Sequence, residues 1–399
     1  MCDMGHKLLY KMKQNNENSN IRVALVSPGL GHVKRGIETW TEDLGEALTE
    51  RGVDITLYKG AGKKEHFYEK VIPCLKRSSA LNKWLIKHRP GFLWRVGLST
   101  HYTLEETTFT WNLLPELLLK QYDIIHTQDP DVAYILQKVC RLGLLKSRVI
   151  LAHGTEESFK FLDQLDYVQH LAPYHFEEAV KNCGKHKDWV MISNFVDTDV
   201  FRLREKREEV REELGIAQDD FVVICVAALK KTHKRVDYLI KETSNLIGNG
   251  YSNVKLVLIG VPTKETKELV ELGQNLLGES LRILENVPHS EIPLYLSAGD
   301  LFVLCSLKEM LGIVFLEAMA CGIPCVAHQY PVFEWVVDSC GSCIDMSIDG
   351  NLSREIEKYF SNGFYQEKRK NTQKHIAEKF EKDVIIKQYL SMYSKVLSA

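Results

Sequence analysis

The sequence has no run of the ~18 apolar residues that a membrane-spanning helix needs, and no secretory leader is visible at its start. It has no surplus of one charge either. Its 51 Lys and Arg stand against 53 Asp and Glu, which removes the broad field that nucleic-acid binders use. Internal repeats and low-complexity tracts are absent. The ten cysteines read as scattered, without Cys-x-x-Cys pairs, and several sit in apolar runs (Cys225, Cys305, Cys321, Cys325). That placement predicts buried, reduced thiols rather than a disulfide or zinc framework. The dinucleotide fingerprint Gly-x-Gly-x-x-Gly is incomplete: Gly29 and Gly31 begin it, but Lys34 stands at the third place, which weakens a dehydrogenase reading. These absences leave a cytoplasmic globular protein as the expectation, and its 399 residues, 45% hydrophobic and 26% charged, predict two domains.

Short apolar runs alternate with helical periodicity along both halves. Ile21–Ser27 reads as a buried strand and Pro28 to His32 as a turn with two glycines. Ile37, Trp40, Leu44 and Leu48 recur at helical spacing, and Val53–Tyr58 is the next strand. This is a βαβ unit. Strands follow at Tyr122–Gln128, Arg148–Ala152, Phe221–Leu229, Val254–Gly260, Leu281–Val287 and Cys325–Ala327. The expected fold is α/β, with two doubly wound Rossmann-like domains facing across a cleft. In open sheets of this kind ligands sit beyond the carboxyl ends of the strands. His153 and, more weakly, His126 end strands in that way, so either can meet a hydroxyl or a phosphate. Asp129-Pro130-Asp131 has the form of a metal-binding Asp-x-Asp, but Asp197-Thr198-Asp199 fits equally. Asp129 and Asp131 are read as helix-start and turn residues, and no metal site is expected.

Lys76 to Arg95 carries Lys76, Arg77, Lys83, Lys87, Arg89 and Arg95 among Leu81, Trp84, Leu85, Phe92 and Trp94, with no acidic residue. Such a stretch fits an anionic membrane surface, an anionic acceptor, or a solvated basic loop over core aromatics. Arg202–Glu213 is charge-rich and reads as a solvated helix or linker.

The most informative stretch is Glu309-Met-Leu-Gly-Ile-Val-Phe-Leu-Glu-Ala-Met-Ala-Cys-Gly322. A buried strand, Leu301–Leu304, precedes it. Gly312 lets backbone approach a ligand, Ile313–Ala320 is helical, and Gly322-Ile323-Pro324 stops the helix. The amides of Leu311, Gly312 and Ile313 stand at a helix start, where the dipole favours phosphate. Glu317, two turns inside, can accept two hydrogen bonds from a ribose diol. Glu309, on the loop, can hold hydroxyls of a transferred sugar. The bland alternative is a strand–loop–helix with two solvated glutamates.

The full string resembles the signature of the retaining GT-B glycosyltransferases of family four, the glycosyl transferases group 1. Met310 and Leu311 stand where that family usually has Gly-Phe. The resemblance covers most of the chain and is strongest between about residues 190 and 345. It implies that Gly31 turns its backbone to the donor phosphates, that His153 lies near the sugar, and that Lys234 grips the diphosphate. Ala228 occupies the place of the family's Arg, and Lys230 or Lys231 is expected to supply that charge. Backbone near Asn286 and Val287 would meet the base. Trp189–Phe201 resembles the interdomain passage, with Ser193 and Phe195 in place of Pro and Gly. Five segments are expected: a disordered start, 1–20; an acceptor-side domain, 21–190; a linker, 191–215; a nucleotide-sugar domain, 216–375; and a helical tail, 376–399, returning to the first domain. The implied activity is transfer of a sugar from a nucleotide diphosphate sugar to a hydroxyl acceptor, with retention, without metal and without a bound cofactor. A sugar-nucleotide epimerase and an inactive nucleotide-sugar-binding scaffold are the alternatives.

Overall fold

In the computed structural model, residues 21–398 are described except for 34, 89, 90, 92–97, 185–187, 203–205, 362 and 363. The expected disordered start, 1–20, lies outside the described residues, as do Arg89, Phe92, Trp94 and Arg95 of the basic stretch. The chain divides into two compact units, one of residues 1–193 with 386–399 and one of residues 194–385.

The first unit holds strands β1 (Arg22–Ser27), β2 (Asp54–Lys59), β3 (Glu69–Val71), β4 (Ile124–Thr127), β5 (Arg148–His153), β6 (Tyr167–His170) and β7 (Val190–Met191). They form one sheet in the order β3-β2-β1-β4-β5-β6-β7, with every pairing parallel. The second unit holds β8 (Phe221–Val226), β9 (Val254–Gly260), β10 (Leu281–Glu285), β11 (Leu301–Val303), β12 (Cys325–His328) and β13 (Gly341–Ile344). Their order is β10-β9-β8-β11-β12-β13, again parallel throughout. Strands buried on both faces need continuous apolar runs, and β1 and β8 supply them: Val23 to Val26 and Val222 to Ile224 are fully buried. In each sheet the strand order reverses once beside the first strand, between β1 and β4 and between β8 and β11. Loops leaving the carboxyl ends of those strand pairs flank a crevice.

The last helix, Lys382–Ser398, crosses from the second unit to the first. Its buried Tyr389 and Tyr393 anchor it within the first unit. The Tyr389 hydroxyl accepts from Trp40 Nε1 at 3.0 Å and from Gln169 Nε2 at 2.7 Å, and the Tyr393 hydroxyl lies 2.9 Å from His126 Nδ1.

Three expectations need correction here. The charge-rich segment is a helix, Arg207–Glu213, with Glu208, Glu209, Glu212 and Glu213 exposed as expected, but it is not solvated all round, because Arg211 is fully buried. Its guanidinium donates to the Ala298 carbonyl and to Asp300 at 2.7 Å, because a buried cation must have partners. His126 is excluded as a ligand, being fully buried between Trp40 and Tyr389, with burial pulling its pKa down to about 3. The cysteines contain one Cys-x-x-Cys pair, Cys340 and Cys343, whose spacing the sequence reading overlooked. Both are free thiols, and burial pushes them up to about 11 and about 12, far from the thiolate form that redox chemistry requires.

Gly31 has a reason internal to the first unit. Its φ is +90°, and a Cβ there would lie 2.1 Å from the Ala61 carbonyl oxygen. Gly31→Ala is therefore expected to cost roughly 1–3 kcal/mol from the backbone conformation alone, with the clash adding to it. A thermal midpoint equal to wild type would contradict this.

Candidate donor site in the second unit

Two loops leave the switch point of the second sheet. The loop after β8 carries Lys230 to Arg235, and the loop after β11 carries Glu309 to Gly312. Topology thus brings together residues 75 positions apart: Lys234 Nζ donates to Glu309 Oε1, with side chains only 20% and 15% exposed. His233 Nε2 stands 3.7 Å from the same oxygen, and its pKa is lowered chiefly by burial.

The basic loop is tightly specified. His233 and Arg235 both have positive φ, 68° and 49°, which is unusual outside glycine. Glu265 holds the loop by accepting from the Lys231 amide at 2.8 Å and from Thr232 Oγ1 at 3.0 Å. Lys231 turns away to pair with Glu268. Arg235 donates to the Met346 carbonyl at 2.7 Å and stacks on Tyr238. Of the two lysines offered for the missing Arg at Ala228, Lys231 is therefore occupied. Lys230 has no ion-pair partner among the described residues and remains available.

The helix Ile313–Ala320 begins where expected. Gly312 has φ +79°, and a Cβ there would press on Phe315 at 2.9 Å. The glycine is thus required by its own turn and by the Phe315 ring, not by ligand approach alone. Among the described residues no acceptor is found for the amides of Leu311, Gly312, Ile313 and Val314. That is the cluster of unsatisfied donors a helix start offers to an anion.

Glu317 lies inside this helix and is 4% exposed. Its Oε1 meets His289 Nε2 at 2.8 Å. His289 opens the short turn after Val287-Pro288. Val287 is partly buried, and its amide and carbonyl have no partner among the described residues. Sequence reasoning placed backbone here and overlooked the His289 side chain. The motif Pro288-His289-Ser290-Glu291 contained the signal, a ring-bearing donor within reach of a buried carboxylate.

His153 ends β5 in the first unit and is 5% exposed. Its Nδ1 lies 3.1 Å from His170 Nδ1, while its Nε2 is buried without a partner. Burial, then repulsion from His175, lowers its pKa to about 4, so it is a neutral donor or acceptor and not a cation. A Cβ at Gly154 would lie 2.7 Å from Gln128 Oε1, so Gln128 packs against this glycine. Asp129 precedes the helix Pro130–Arg141 but makes no capping bond with its side chain. Instead Glu106 Oε2 accepts from the Asp131 amide at 3.2 Å, and Asp129 accepts from the Tyr102 hydroxyl at 3.1 Å. Burial and the neighbouring Glu38 push Asp129 up to about 6.

A family model described as glycosyl transferases group 1 matches residues 206–379. N-acetyl-alpha-D-glucosaminyl L-malate synthase of Bacillus anthracis is 26% identical over 251 residues, 62% of this chain and 62% of that one. The lipopolysaccharide core biosynthesis glycosyltransferase LpsD of Rhizobium meliloti is 27% identical over 312 residues, 74% of this chain and 84% of its own. The chain thus spans less than two thirds of the first relative's length. Among solved structures, sucrose-phosphate synthase from Thermosynechococcus elongatus superposes with a TM-score of 0.78 at 16% identity, over 95% of this chain and 100% of that one. At that identity the likeness speaks to the GT-B fold of two Rossmann-like domains.

Proposed function

We propose that this chain, whose residues 206–379 match the glycosyl transferases group 1 model, transfers a sugar from a nucleotide diphosphate sugar to a hydroxyl acceptor, with retention at the anomeric carbon and without a metal. The observation that carries this is the set at the switch point of the second unit: unpartnered amides at Leu311 to Val314, with Glu317 inside their helix and Lys234 against Glu309.

Each group has a task. The amides and the helix dipole, roughly half a positive charge, take the diphosphate. Glu317 takes the ribose diol, and the unpaired backbone at Val287 takes the base edge. Glu309 holds hydroxyls of the transferred sugar once Lys234 releases it to the phosphates. As the glycosidic bond breaks, negative charge grows on the leaving diphosphate. Lys234, Lys230 and the amides are already arranged there and need no reorganisation. The leaving phosphate then accepts the proton of the attacking hydroxyl, which removes the need for a protein nucleophile.

A transfer assay tests this reading. Sugar nucleotides are first screened for thermal stabilisation, which amounts to about 2.7 kcal/mol at 100 times the dissociation constant. The best donor is then incubated with hydroxyl acceptors. The expected product keeps the donor's anomeric configuration by NMR, and its rate is unchanged by EDTA. An inverted product sinks the retaining assignment. Loss of activity in EDTA, restored by a divalent ion, sinks the metal-free one. Release of an epimerised sugar nucleotide without acceptor supports the epimerase instead.

The acceptor side makes contact with an anionic membrane surface. No helix among the described residues is long and apolar enough to cross a membrane, but Ala80–His88 shows Leu81 and Trp84 outward, 54% and 57% exposed, beside Lys83 and Lys87. Asn82 on its inner side is fully buried, with Nδ2 donating to the Leu75 and His101 carbonyls. Trp111, 58% exposed, lies on the next helix, His101–Lys120. Basic residues near such a surface contribute ~1 kcal/mol each. Co-sedimentation with phosphatidylglycerol vesicles is expected, weakened about tenfold or more by Lys83→Glu with Lys87→Glu, as the loss of roughly two such contributions implies. Equal binding to neutral vesicles would contradict it.

A further inference from the structure

The carboxylate read as the ribose acceptor is engaged by a side chain of the protein itself. Glu317 is 4% exposed, and His289 Nε2 sits 2.8 Å from its Oε1. Among the described residues this imidazole is the only side-chain partner Glu317 has. A carboxylate so buried needs a partner, and His289 provides one from a ring that is itself 47% exposed. The imidazole is fixed from two directions. Pro288 precedes it in the turn His289–Glu291, and buried Phe201 lies against it, ring centres 5.2 Å apart. It therefore stands at the mouth of the pocket, two residues beyond the backbone assigned to the base, with its N–H on the oxygen assigned to the ribose.

We propose that His289 holds the carboxylate that a ribose diol would take and yields it when a nucleoside diphosphate binds, so that it sets donor affinity by competing for Glu317. The inference rests on reading Glu317 as the ribose carboxylate. A diol that approaches Glu317 must displace one charge-assisted hydrogen bond before making its own, and the net gain is reduced by that amount. The pairing of Lys234 with Glu309 is a parallel case on the other side of the amides. Each acid of the site thus has a side-chain partner within the protein, Lys234 for Glu309 and His289 for Glu317.

The direction of the effect follows. Without His289 the free protein loses Glu317's partner and is destabilised, whereas the complex, in which the diol holds Glu317, is not. Binding must then tighten. A residue that merely supported the fold would lower the melting temperature with and without ligand and leave affinity unchanged or weaker.

The test uses the full chain and calorimetric titration. UDP, ADP and GDP are titrated, and the tightest is compared with its 2′,3′-dideoxy counterpart in wild type, His289→Ala, His289→Gln and Glu317→Gln. His289→Ala is expected to bind the ribonucleotide about tenfold more tightly, the worth of one charge-assisted bond at the low end, with the dideoxy form unchanged. His289→Gln, whose amide still donates to Glu317, is expected to stay near wild type. Unchanged or weaker ribonucleotide binding by His289→Ala, in a wild type that favours the ribose form, overturns the inference and leaves the reading of Glu317 intact. If wild type and Glu317→Gln both ignore the 2′ and 3′ hydroxyls, the reading of Glu317 itself fails.

Discussion

Lys234→Ala is expected to lower kcat by about 10²–10³-fold, the usual cost of removing one pre-arranged donor from a site where negative charge develops. The magnitude follows from how few cations this site has. Ala228 supplies none, Lys231 is held by Glu268, and Arg235 is held by the Met346 carbonyl. Lys230 is left as the second charge. The variant also strips Glu309 of its closest partner, leaving His233 at 3.7 Å, so the carboxylate proposed to hold the sugar loses its orientation. Lys234 lies on a loop and is not part of the apolar core, so circular dichroism should be unchanged. Lys234→Arg keeps the charge with a different shape and should fall between the two. Turnover by Lys234→Ala within a few-fold of wild type, at saturating donor, would remove Lys234 from the mechanism.

Glu317→Gln is expected to weaken donor binding by between about tenfold and 100-fold. Charge-assisted hydrogen bonds are worth roughly 1.5–3 kcal/mol each, and the diol offers two. Glutamine has the same size and retains one acceptor oxygen, so part of the interaction survives and the helix packing is preserved. The change should appear in the dissociation constant of the nucleoside diphosphate by calorimetry. The thermal midpoint of the free protein should move little, since the substituted amide still accepts from His289. Wild-type affinity in this variant would place the ribose elsewhere.

The alternating apolar runs and helical periods made the two sheets legible, because a parallel strand buried on both faces leaves a continuous run such as Val222 to Ile224. The helix start at Ile313 was legible because glycine at position 312 and Gly322-Ile323-Pro324 bracket it. Local patterns could not show what depends on pairing across the sheet. The bond of Lys234 to Glu309 and that of His289 to Glu317 join residues 75 and 28 positions apart, and the strand order β10-β9-β8-β11 brings their loops to one end of the sheet. The role of Arg211 was hidden for the same reason. A run such as Arg207-Glu-Glu-Val-Arg-Glu-Glu213 looks solvated until Asp300 is placed beneath it. His126 was the weaker candidate of the two strand-end histidines, and the packing of Trp40, Tyr389 and Tyr393 around it removes it. Gly31 was read as turning its backbone to the donor phosphates, and the Ala61 carbonyl packed against it gives the glycine a second reason within the first unit.

The most direct measurement is a crystal structure of the protein soaked with the nucleoside diphosphate that stabilises it best. The account predicts phosphate oxygens on the amides of Leu311 to Val314, both ribose hydroxyls on Glu317 with the His289 ring turned away, and Lys234 moved from Glu309 to the diphosphate. A nucleotide bound elsewhere, or this pocket left empty at saturating concentration, would contradict it.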